Sequence, residues 1–243
     1  MKFPNLYILI VLFLVFFGIG CDTVDSNDTI NGSGFLVSND QNISDFTKIE
    51  TGFAFESTIR QDSLYKITVT ADDNIIEYVR VFKEGSTLKV LMDEDKNYSN
   101  ATLKVDITLP DVENINLSGA SASVISGFNF IHDLDIQLSG ASSVEGSIST
   151  GDLTLELSGA SAVSLSGSGI DLNINGSGAS VLNLGQFALS DDASIILSGA
   201  SVSTIRLEGT LDAVLSGASV LSYYGNPTLG NIVTSGESVV QKL

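Results

Sequence analysis

A tetrapeptide, Ser-Gly-Ala-Ser, returns six times at nearly constant spacing and constrains the fold of this chain more than any other feature. It starts at Ser118, Ser139, Ser158, Ser177, Ser198 and Ser216, and a worn copy, Ser-Gly-Glu-Ser, starts at Ser235. Successive copies lie 21, 19, 19, 21, 18 and 19 residues apart. A fixed period of about 20 residues marks a stacked repeat, in which one unit cannot bury its own apolar face.

The residues before each copy alternate in character. Copy two is preceded by Leu134-Asp135-Ile136-Gln137-Leu138, copy three by Leu153-Thr154-Leu155-Glu156-Leu157, and copy four by Leu172-Asn173-Ile174-Asn175. Alternation with period two is that of a strand with one buried face. A second short apolar stretch follows each copy, as at Val144, Val163 with Leu165, Val181 with Leu182, and Val220 with Leu221. Glycines at 127, 146, 167, 185 and 209 are then expected to carry the turn into the next unit.

Strand, corner, strand and turn within about 20 residues leave no room for a packing helix. The expected fold is all-β, a right-handed parallel β-helix with about 19–20 residues per coil. Leu117, Leu138, Leu157, Leu197 and Leu215 stack along the axis. Ala120, Ala141, Ala160, Ala179, Ala200 and Ala218 are expected to form a second, buried stack at the corner, with the serines as polar columns.

The first 20 residues carry one lysine, Lys2, and an unbroken apolar run from Leu6 to Phe17. That run is too short for a bilayer, which needs about 20 residues, and has the length of a secretory leader. Cys21, the sole cysteine, follows directly and resembles the acylated residue of a bacterial lipobox, although Gly18 stands where Leu or Val is usual. The expectation is a signal peptide over 1–20, lipidation of Cys21, and a flexible tether over 21–34. The lipid would anchor the protein to the cell envelope, at the outer membrane. One cysteine excludes an intramolecular disulfide, so the stacked core must supply stability.

Without Lys2 the chain holds 10 basic against 29 acidic residues, a formal charge of −19. Nucleic acid and anionic lipid surfaces both demand basic footprints and are poor partners, so no nucleic acid is expected. Residues 35–110 lack the repeat but keep a β pattern, with strands expected at 53–55, 65–69, 78–82, 88–91 and 103–107. They read either as irregular coils capping the solenoid or as a small antiparallel sheet. Residues 35–243 are taken as one domain, with the repeats over 111–243.

An irregular β segment, Ile107-Thr108-Leu109-Pro110, then Ile115-Asn116-Leu117-Ser118-Gly119-Ala120-Ser121 and its repeats resemble the GIN-domain family over about residues 47–240. Its members are described as auto-transporter adhesin heads. The resemblance implies a β-helix and an adhesive or surface role, with no catalytic residues to carry over.

Catalysis finds little support in the residues. His132 and Arg206 are the basic side chains of residues 111–240, and His132 is the chain's sole histidine. A nucleophilic serine needs a base, and His132 next to Asp133 reads as a turn. Asp93-Glu94-Asp95-Lys96-Asn97 opens like a calcium loop, but Tyr98 stands at the required glycine and Lys104 at the bidentate glutamate. Only weak Ca²⁺ binding is left open there, and no cofactor or metal site is expected. Phe128, Phe130 and Phe187 read as core fillers. Tyr223 and Tyr224, beside Gly225-Asn226-Pro227, are the candidate surface contact for a glycan or protein. The reading is a non-enzymatic adhesive or structural envelope module. The rival is a polysaccharide-active lyase or hydrolase on the same scaffold.

Overall fold

The chain enters its repeat through a longer run of strands than the tetrapeptide reveals. The computed structural model describes residues 29–129 and 132–243. Nine strands precede the first repeat strand: β1 (Thr29–Asn31), β2 (Leu36–Gln41), β3 (Lys48–Thr51), β4 (Glu56–Gln61), β5 (Lys66–Asp72), β6 (Val79–Glu84), β7 (Thr87–Met92), β8 (Asn97–Ser99) and β9 (Leu103–Leu109). A 3-10 turn at Ile76–Tyr78 separates β5 from β6.

Each tetrapeptide then joins two strands. Before it come β10 (Asn114–Leu117), β12 (Leu134–Leu138), β14 (Leu153–Leu157), β16 (Leu172–Gly176), β18 (Ala193–Leu197), β20 (Thr210–Leu215) and β22 (Thr228–Thr234). After it come β11 (Ala122–Asn129), β13 (Ser143–Ser149), β15 (Ala162–Gly169), β17 (Val181–Leu189), β19 (Val202–Leu207), β21 (Val220–Tyr224) and β23 (Val239–Lys242). Even-numbered repeat strands pair in parallel in one sheet and odd-numbered ones in the other, so each coil gives one strand to each sheet. The β-solenoid is borne out.

Register follows from the alternation. Ile115, Ile136, Leu155, Ile174 and Ile195 lie in one inward row, and Leu117, Leu138, Leu157, Gly176 and Leu197 in the next. All except Gly176 are buried core aliphatics. A one-residue slip would send both rows to solvent, which is why the spacing of the tetrapeptide is so regular.

Both readings of residues 35–110 contribute. β3 and β4 form one more coil, paired in parallel with β10 and β11. Residues 53–55, expected as a strand, are its corner: Phe53 and Ala54 have φ of 58° and 65°. Ser118 N–H donates to the Thr51 carbonyl (2.9 Å) and Ala122 N–H to that of Phe55 (2.9 Å), so this corner stacks under the first tetrapeptide without sharing its sequence. β7 and β9 continue the two sheets in parallel, and β6, β5 and β2 close them with antiparallel pairs. Phe46, Phe55, Ile75 and Met92 fill the core at this closed end.

Order begins before residue 35. Within the segment read as a tether, Thr29–Asn31 pairs in parallel with Asn97–Ser99. Gly34 N–H (2.6 Å) and Thr102 N–H (2.7 Å) both donate to the buried Asp72 carboxylate. These bonds, that of Thr102 foremost, hold Asp72 below the usual carboxylate range. Composition could not reveal the anchor, because the carboxylate that holds the segment lies about 40 residues away in the chain. The leader, Cys21 and the rest of the tether lie outside the described residues.

Candidate functional site

The corner has a single geometry in all six full copies. Gly159, with φ of +75°, takes the left-handed conformation that a side chain resists. Ala160 N–H donates to the Gly140 carbonyl of the previous coil at 2.7 Å, and Ala179 N–H to Gly159 at 2.8 Å. The last serine points inward: Ser121, Ser142, Ser161, Ser180, Ser201 and Ser219 are all buried. Each Oγ donates to the carbonyl of the first serine of its own copy, for example Ser161 to Ser158 at 2.7 Å.

This corrects the expected buried alanine stack. Ala120, Ala141, Ala160, Ala179, Ala200 and Ala218 are exposed. With glycine in the left-handed region, the chain turns the alanine out and returns inward at the serine. The hydroxyl then satisfies a carbonyl that the tight bend leaves without a backbone partner.

Beside this corner the outer face of the even-numbered sheet holds an open groove of about 370 Å³. Asn116, Gln137, Glu156 and Asn175 line it in one outward row, one residue per coil, with Ser139, Ser158 and Ser177 along its edge. Strand spacing sets the row's repeat at about 4.8 Å. Among the described residues, the side chains of Asn116, Gln137, Glu156 and Asn175 make no hydrogen bond. Three amides and one carboxylate therefore present unpaired donors and acceptors along about 15 Å. Beyond Asn175 the same row turns aliphatic, with Ile196, Val214 and Val233 exposed.

The turns opposite the corner depart from expectation. Gly127, Gly146, Gly167 and Gly185 lie inside strands, several beside register shifts, and only Gly209, between β19 and β20, lies at a turn as expected. Stacked aspartates make the turns instead. Asp133 accepts from Asp152 N–H (3.0 Å), Asp152 from Asp171 (3.2 Å), Asp171 from Asp192 (2.9 Å) and Asp192 from Thr210 (2.7 Å). The charges of Asp192 and then Asp171 push the neighbouring Asp191 carboxyl above its ordinary value. Aspartates at the coil period carry this signal in the sequence, once turns are sought in that column.

The candidate contact pair is not an exposed platform. Tyr223 is 8 % exposed and packs in the core, because β21 alternation turns it inward. Tyr224 is half-buried under Arg206, whose guanidinium lies 4.8 Å from the ring centre. Arg206 Nε also donates to the Gly185 carbonyl at 2.9 Å, so this cation is held on the scaffold. Phe128 and Phe187 are core residues, and Phe130 lies outside the described residues.

His132 bridges two coils, with Nε2 2.7 Å from the Asp111 carboxylate and Nδ1 2.9 Å from the Asp133 carbonyl. Burial disfavours its charged form, but the Asp133 carbonyl and Asp111 outweigh that and hold its pKa above the ordinary value. Asp93 Oδ1 accepts from Asp95 N–H in a closed turn. Among the described residues no group of three or more His, Cys, Asp or Glu is placed to hold a metal ion.

The model of the family "Putative auto-transporter adhesin, head GIN domain" matches residues 45–227. The chain belongs to the GIN-domain family. Among solved structures it resembles a "putative adhesin" from Bacteroides fragilis, with a TM-score of 0.82 and 21 % identity over 88 % of this chain and 100 % of that one. A "putative lipid binding protein" from Parabacteroides distasonis follows at TM-score 0.73 and 17 % identity, covering 88 % and 99 %. A "putative adhesin" from Parabacteroides merdae gives 0.70 and 17 %, covering 89 % and 99 %. At these identities the likeness is one of fold. No curated protein matches significantly. The family's description is adhesive and names no catalysis.

Proposed function

We propose that this GIN-domain protein is a non-catalytic, lipid-anchored binding module of the cell envelope, and that it holds a neutral glycan strand in the groove beside the corner. The unpaired row of Asn116, Gln137, Glu156 and Asn175 carries this reading. Amides repeated along a rigid sheet match a polymer of hydroxyl groups, since each amide both donates and accepts. The −18 charge disfavours anionic polymers on the same face. A non-catalytic role is supported by the engagement of both cations of the repeat, His132 with Asp111 and Arg206 with Tyr224.

Calorimetry of the chain against a panel of long neutral oligosaccharides tests the site. An Asn116→Ala, Gln137→Ala, Asn175→Ala triple variant loses three side chains worth about 0.5–1.5 kcal/mol per hydrogen bond, so affinity should fall at least about tenfold. Equal binding by the folded variant rejects the groove. Release of reducing ends would establish the enzyme reading instead. Fatty-acid labelling abolished by Cys21→Ala supports the anchor, and labelling that survives this change refutes it.

A further inference from the structure

The outer face of the other sheet carries a second groove. Two adjoining cavities, of about 420 and 270 Å³, share Val124 and Glu145 in their lining. Together they cross β9, β4, β11, β13, β15 and β17, which are successive neighbours in that sheet. Five strand spacings of about 4.8 Å make the groove about 24 Å long. Both sheets bury their inner faces in one core, so this groove and the amide row look out from different sides of the rod.

Register builds the floor. Asp106, Thr58, Val124, Glu145, Ser164 and Asn183 form one outward row, one residue per strand. A bulge builds the far wall. Ser164 and Ser166 of β15 face Asn183 and Gln186 of β17, and Thr204 and Arg206 of β19 face Asn183 and Ala188, so β17 carries surplus residues against both neighbours. Leu184 and Phe187 go into the core, and Gln186 stays outside. Arg206 braces the bulge from the next coil through its 2.9 Å bond to the Gly185 carbonyl. A bulge in an otherwise regular ladder re-aims a side chain, here Gln186 at the groove.

Part of the lining is already engaged. At the N-terminal end Lys104 pairs with Glu56 at 3.2 Å and Arg60 with Asp106 at 3.3 Å. Ser166 donates to the Gly146 carbonyl at 3.2 Å. Among the described residues, the side chains of Thr58, Ser143, Glu145, Ser164, Asn183 and Gln186 make no hydrogen bond. They set hydroxyls, amides and a carboxylate around Val124, which is 41 % exposed. Hydroxyls and amides both donate and accept, and the carboxylate accepts only. With the aliphatic Val124 to meet the C–H face of a ring, the lining complements an uncharged sugar chain. Both nearby cations are paired, so Glu145 disfavours an anionic chain here.

We infer that this groove binds a second neutral glycan strand, and that the rod thereby bridges two strands. Each groove runs along the rod on its own side, so one straight strand fills only one of them. The second site stands on its own lining, whereas the bridging rests on the amide groove being a glycan site.

Native mass spectrometry of the full chain, in a detergent without sugar headgroups, tests it by counting bound neutral gluco-, xylo- and manno-hexasaccharides. The wild type should hold two copies of the best binder. A Glu145→Ala, Asn183→Ala, Gln186→Ala triple variant should hold one. A long polymer of the same sugar should turn cloudy with the wild type and stay clear with this variant. The three side chains are exposed and unbonded, so the variant should melt with the wild type. A panel without a binder, or a folded variant that holds as many copies as the wild type, overturns the second site. A single copy, lost in this variant and kept with Asn116, Gln137 and Asn175 changed to alanine, leaves the second site standing and rejects the amide groove and the bridging.

Discussion

Replacing Ser161 with alanine separates the inward serine from the outward alanine at the corner. Ser161 is fully buried, and its Oγ donates to the Ser158 carbonyl at 2.7 Å. Backbone bonds at this corner go to the carbonyls of Leu157 and Gly159, which accept from Ser177 and Ala179, so Ser158 depends on the hydroxyl. Removing it forfeits a hydrogen bond worth about 1 kcal/mol, and because Ser158 is exposed water can take its carbonyl, so the expected loss stays near about 1 kcal/mol. For a domain near 200 residues that lowers the melting temperature by roughly 2–4 °C. Ala160→Asp, by contrast, adds a side chain to an exposed position and should stay within about 0.5 kcal/mol. Thermal and urea unfolding followed by circular dichroism measure both. If Ser161→Ala melts with the wild type while Ala160→Asp is strongly destabilised, the corner is built the other way round.

Gly159→Ala should cost more than either change. Its Cβ would sit 2.4 Å from the Gly140 carbonyl oxygen in a residue with φ of +75°, so about 3 kcal/mol or more is expected, and urea unfolding within error of wild type would contradict the stacked corner. His132 predicts a weak pH dependence. Its folded pKa lies above the unfolded value, so the Asp111 contact contributes fully below about pH 6.5 and is lost as pH rises through the folded value. Both partners are more than one-third exposed, which keeps the effect under about 1 kcal/mol; the same pH slope in His132→Gln would rule the pair out as its source.

Repetition made the fold legible. Leu134, Ile136 and Leu138 alternate with polar neighbours and recur one coil later as Leu153, Leu155 and Leu157, so strand, facing and stacking all follow from one-dimensional order. The coil at 48–61 does not show as a repeat in the sequence because its corner, Gly52-Phe53-Ala54-Phe55, reaches the same bend through other residues. The groove was half-visible. Asn116, Gln137, Glu156 and Asn175 fall at one position of the repeat, yet outward polar residues are also what any solvated strand shows, and only the fold reveals that they lack partners and border a cleft.

Periodicity therefore settled the all-β solenoid, its coil length and its inward rows, because period-two burial and a constant repeat admit few other packings. Three outcomes belonged to the tertiary structure: which small residue of the corner turns inward, where Tyr223 and Tyr224 point, and that antiparallel strands follow the parallel coils at the N-terminal end. Each depends on where the backbone of a neighbouring coil lies. The sign of φ at Gly159 sets the first, the face of β21 the second, and the antiparallel closure by β2, β5 and β6 the third. A repeating sequence specifies what stacks on what. Local backbone geometry and the non-repeating strands specify what remains exposed for a partner to meet.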